Sequence, residues 1–158
     1  MSGSPDIVGR RFPSVAGRAL SGDVVRFPED LAGAPALLLC AYRRGTQHDV
    51  DRWAAFVERR LPELVVWELP IISSPMWRPL QGWIDGGMRG GVPPRLWAHV
   101  VTLYDDGARA RRFVGDGGGW RTQVVLLDTA GVVAFTDAGG FREEAAERLA
   151  AAVSTLEG

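Results

Sequence analysis

Most of the side chains able to do chemistry fall in one short stretch: Cys40, then Arg43-Arg44-Gly45-Thr46-Gln47-His48-Asp49. A reactive thiol needs access and an electropositive setting. Cys40 sits between Leu39 and Ala41 in an apolar run, the setting of a small inert core residue. It is also the only cysteine, so no disulfide can close within the chain. His48 is spaced to serve as a general base beside Thr46 or Asp49. Arg43 and Arg44, with backbone amides at a helix start, suit an anion such as a carboxylate or phosphate. Asp49 and Asp51 oppose that charge locally.

Other chemistries are excluded or weakly supported. The 18 basic residues are all arginine, which rules out lysine Schiff-base catalysis. The bland source of that bias is a GC-rich genome. Two histidines far apart and one core cysteine form no metal-ligand cluster, and no cofactor is indicated. Gly115-Asp116-Gly117-Gly118-Gly119 lacks the Lys-Ser/Thr and the following helix of a phosphate-binding loop. His99 opens an expected strand and reads as structural. Arg109, Arg111 and Arg112 read as a solvated face. Trp77, Arg78, Trp83, Met88, Arg89 and Trp97 give an aromatic, arginine-rich segment that suits either core or a protein interface. The net charge of −1 argues against a nucleic-acid partner. No apolar run is long enough to span a membrane, and Arg10-Arg11 is not followed by an export-type apolar stretch. A cytoplasmic location is the expectation.

The elements that must position these residues are legible in the pattern. Residues 1–11 read as a flexible lead-in and 12–158 as one domain. Val15–Leu20 and Val24–Phe27 flank the turn Ser21-Gly22-Asp23, a hairpin. A polar bridge with one helical turn is expected over 28–33. Ala36–Tyr42 is apolar throughout, as in a strand covered on both faces. Val50, Trp53, Phe56, Val57 and Leu61 repeat at helical spacing up to Pro62, with Thr46 and Asp49 placed as a capping box. Leu64–Ile72 is a strand, so a right-handed parallel crossover follows. A poorly formed helix is expected over 77–88, a strand over 98–104 and a polar loop over 105–120. Gln123–Leu127 and Val132–Phe135 flank the turn Asp128-Thr129-Ala130-Gly131. A final helix runs over 141–156, with Ala145, Leu149 and Val153 inward.

This order, with Phe12-Pro13-Ser14-Val15 leading the hairpin and Gly33-Ala34-Pro35 entering the first central strand, resembles the thioredoxin-like superfamily in its peroxiredoxin-type form. The resemblance implies an α/β, thioredoxin-like three-layer sandwich with an N-terminal β-hairpin extension. Within it, Tyr42-Arg43-Arg44-Gly45, Asp51-Arg52-Trp53 and Leu126-Leu127-Asp128 resemble the mitochondrial ATP-synthase assembly factors and their bacterial relatives. Against the superfamily pattern, Cys-x-x-Cys is absent, Asp49 stands where a peroxidatic cysteine belongs, and Arg121-Thr122-Gln123 replaces the cis-proline segment. The expected function is a redox-inactive binding or assembly module for a protein or anionic ligand. Its recognition residues would be Arg43, Arg44, Thr46, Gln47, His48, Trp77, Arg78 and Arg121. The alternative is a non-thiol enzyme using His48, Asp49, Thr46 and Arg121 on an anionic small molecule.

Overall fold

A computed structural model describes residues 6–31, 33–43, 46–71, 94–115 and 121–157. The central strands are β3 (Ala36–Ala41), β4 (Val65–Pro70), β6 (Gln123–Leu127) and β7 (Val133–Asp137), in the spatial order β4-β3-β6-β7. β3 runs parallel to β4 and antiparallel to β6. The N-terminal hairpin, β1 (Val15–Ala19) with β2 (Val24–Phe27), adds a second sheet ordered β2-β1-β5. β5 is only Val101–Thr102. Parallel bridges Glu68↔Val100 and Ile71↔Leu103 join β5 and its flanks to β4, so the two sheets follow one another.

The uninterrupted apolar character of β3 follows from its position. Leu37 and Leu39 face α1 (Gln47–Arg60) and the C-terminal helix α3 (Glu143–Glu157), among Trp53, Phe56, Leu126 and Leu149. Leu38 and Cys40 face the other way, among Phe12, Phe27, Leu103 and Val114. A strand with both faces covered has no polar side to show. The three layers expected from sequence are therefore present, and the hairpin is where the pattern put it.

The structure corrects several local expectations. Residues 107–114, expected as loop, form helix α2 (Gly107–Val114). Its buried stripe is Gly107, Ala110 and Val114, residues too small to give a strong periodic signal beside three arginines. The strand expected over 98–104 begins instead with a 3-10 helix over Pro94–His99. The Ala16 N–H, on the β1 edge beyond the short β5, donates to the Asp106 carboxylate at 2.8 Å. Within the stretch 1–11, read as a flexible lead-in, Ile7 is buried and Gly9 and Arg10 exchange backbone hydrogen bonds with Val133. The helix expected over 77–88, with Trp77, Arg78, Trp83 and Met88, lies outside the described residues.

Candidate functional site

The edge where β3 gives way to α1 is organised by one carboxylate. Asp49 sits in the first turn of α1. Its Oδ2 accepts the Thr122 N–H at 3.0 Å and its Oδ1 accepts the Phe141 N–H at 2.7 Å. One side chain thus pins α1 to the segment before β6 and to the approach to α3. This corrects the capping-box expectation: Thr46 occupies the N-cap position without a side-chain cap bond, and Asp49 turns to other segments. Hydrogen bonds to an ionised group are the stronger kind, and here both donors are main-chain groups needing partners.

The surroundings are built to fit this carboxylate. Trp53, one turn on from Asp49, is fully buried and meets Phe141 edge-on, with ring centroids 5.2 Å apart. Gly140 has φ +84, a conformation that favours glycine. A side-chain carbon there would also lie 3.3 Å from the Arg121 Cδ and 3.6 Å from the Asp49 Oδ1. Position 122 must supply an N–H to Asp49, which proline lacks. The Thr122 N–H and the Asp49 carboxylate are therefore two halves of one contact.

The other predicted residues divide by exposure. Arg43, Gln47, His48 and Arg121 are exposed at this edge. Thr46 is fully buried beneath it, so it supports the edge and cannot contact a partner directly. Gln47 donates to Asp51 at 2.8 Å and to Glu68 on β4 at 3.4 Å. Burial pushes the Glu68 carboxyl above its usual range; the Gln47 bond opposes this and the Asp51 charge adds to it. Sequence reading missed Glu68, whose place in an expected strand gave no hint of a partner on α1. Arg44, Trp77 and Arg78 lie outside the described residues. His99 is half-buried, its Nδ1 3.1 Å from the Val66 carbonyl and its ring stacked on Trp67.

Two chemistries lose support from this geometry. Both oxygens of Asp49 are engaged by backbone N–H groups, which suits an anchor rather than a proton acceptor. Cys40 is fully buried, and desolvation pushes its thiol up to about 12. Its thiolate, the reactive form, is then scarce at neutral pH. Among the described residues no group of three or more histidine, cysteine, aspartate or glutamate side chains is arranged to hold a metal ion.

No protein-family model and no curated protein matches the sequence. Solved structures do. The thioredoxin domain of a thiol-disulfide oxidoreductase from Bacteroides vulgatus superposes with a TM-score of 0.62 at 13% identity, covering 92% of this chain and 97% of that one. The fold is thioredoxin-like. BsSco, a member of the Sco family of cytochrome c oxidase assembly proteins, gives a TM-score of 0.61 at 11% identity, covering 94% of this chain and 96% of that one. Yeast Sco1 with copper bound gives 0.63 at 10% identity, covering 92% and 93%. Among the described residues no helix is long and apolar enough to cross a membrane.

Proposed function

We propose that this chain is a redox-inactive thioredoxin-like protein acting as a binding or assembly module, with its recognition surface at the start of α1. The observation that carries the reading is the Asp49 carboxylate, held by the Thr122 and Phe141 N–H groups at the place a thiol would need. A thiolate there would have to be free to attack; this carboxylate is fixed as a structural anchor. The lone thiol elsewhere, Cys40, is buried in the sheet and held protonated. The edge presents Arg43, His48 and Arg121 to solvent, residues suited to an acidic or anionic contact.

The resemblance of Tyr42-Arg43-Arg44-Gly45 and Asp51-Arg52-Trp53 to ATP-synthase assembly factors supports an assembly role, as does the likeness in fold to the Sco assembly proteins. The test pairs two assays. Insulin reduction and hydroperoxide turnover should both stay at background. Affinity purification with the wild-type chain should retain a partner that the Arg43→Glu/His48→Ala/Arg121→Glu variant, folded by circular dichroism, releases. Thiol-dependent turnover, or identical retained proteins from both chains, would refute the proposal.

A further inference from the structure

The turn between β7 and α3 is built around one arginine. Asp137 ends β7 with a side chain only 9% exposed. Its Oδ2 accepts the Gly139 N–H at 3.1 Å and its Oδ1 accepts the Arg142 Nη2 at 3.0 Å. The other arm of that guanidinium, Nη1, donates to the Gly140 carbonyl at 2.8 Å. Gly139 leaves the room this needs, because a side-chain carbon there would collide with the guanidinium. The Arg142 carbonyl accepts the Ala146 N–H at 2.9 Å, so the clamp is seated on the first turn of α3. A planar fork can hold a carboxylate and a carbonyl at once, which the ammonium of a lysine does not reproduce.

The backbone held this way is the one that meets the α1 edge. Phe141 sends its N–H to the Asp49 Oδ1 at 2.7 Å. Gly140 lies against both the Arg121 stem and the same Asp49 oxygen, the nearer being the Arg121 Cδ, 3.3 Å from where a side-chain carbon would sit. We infer that Arg142, clamped by Asp137, is a positioning residue for that edge: it sets the Gly140–Phe141 backbone, and through it where the Asp49 carboxylate and the Arg121 side chain sit. The role rests on the reading of the edge as an anionic contact. Arg148 provides the contrast. It also reaches Asp137, at 3.6 Å, and pairs with Glu144 within α3, but among the described residues its polar contacts do not include the turn. An exposed ion pair of that kind contributes little to stability.

The test is nitrogen–proton NMR of the full chain at low ionic strength, titrated with inorganic phosphate and read at the Arg121 side-chain Nε–H and the Thr122 and Phe141 amides. In the wild-type chain the Arg121 signal should move and saturate. Arg142→Gln should weaken that response by about threefold or more and displace the Thr122 and Phe141 signals. Arg148→Gln removes the same charge from the same carboxylate and should weaken the response by less than about twofold. Asp137→Asn is the second variant. By charge alone, losing an acid should strengthen phosphate binding; loss of the clamp should weaken it. A merely structural role would lower the urea midpoint of these variants and leave the phosphate response as it was. Equal weakening in Arg142→Gln and Arg148→Gln, tighter phosphate binding by Asp137→Asn, or unmoved Thr122 and Phe141 signals in Arg142→Gln would each overturn this inference alone. A wild-type Arg121 signal that ignores phosphate would overturn the anionic reading of the edge, and this inference with it.

Discussion

If Asp49 is an anchor, removing its carboxylate should cost stability in proportion to the two bonds it makes. Asp49→Ala leaves the Thr122 and Phe141 N–H groups, both in part-buried settings, without their acceptor. A hydrogen bond to a charged group contributes about 1.5–3 kcal/mol. Two such bonds give an expected loss of roughly 3 kcal/mol at the lower end of that range. For a domain of this size about 1 kcal/mol corresponds to 2–4 °C in Tm, so the melting point should fall by roughly 6–12 °C. Asp49→Asn keeps the shape and one carbonyl acceptor and should lose about half as much. Urea denaturation followed by tryptophan fluorescence is the assay, since Trp53 packs against Phe141 within the anchored cluster. A change below about 0.5 kcal/mol for Asp49→Ala would refute the anchor, because surface substitutions without structural partners fall in that range.

Three further outcomes follow from the same structure. The raised Glu68 carboxyl binds its proton more tightly in the folded chain than in the unfolded one. Its contribution to stability is therefore present at low pH and lost as pH rises from the ordinary glutamate range through the raised folded value. Glu68→Gln should be more stable than wild type at neutral pH and should flatten that part of the stability–pH curve; an unchanged curve would contradict the assignment. Gly17→Ala should destabilise by about 3 kcal/mol in chemical denaturation, because the added carbon would lie 2.6 Å from both the Leu103 Cδ2 and the Thr102 carbonyl oxygen. Cys40 should resist a chromogenic disulfide reagent in the native protein and react stoichiometrically in denaturant; rapid native labelling would show that the thiol is accessible after all.

The sequence by itself determined the order of the main elements, because their signals are local. The apolar run of β3, the helical spacing of Val50, Trp53, Phe56 and Val57, and the Asp128–Gly131 turn are each read from residues within a few positions of one another. That Cys40 is the only cysteine, so that no Cys-x-x-Cys pair exists, was equally plain from residue identities. α2 was not legible, because its inward stripe is glycine, alanine and one valine; it forms because Ala110 and Val114 are covered by the N-terminal segment and the sheet. Tertiary structure alone decided what Asp49 does. In sequence it is one turn from Thr46 and belongs to a cap. In space its two acceptor sites meet Thr122 and Phe141, whose backbone donors lie 73 and 92 residues away. The same holds for Gln47 with Glu68, and for Arg10 with Phe113. Such contacts carry no periodicity along the chain, because a hydrogen bond or a guanidinium–ring contact depends on distance in the folded molecule and not on separation in sequence.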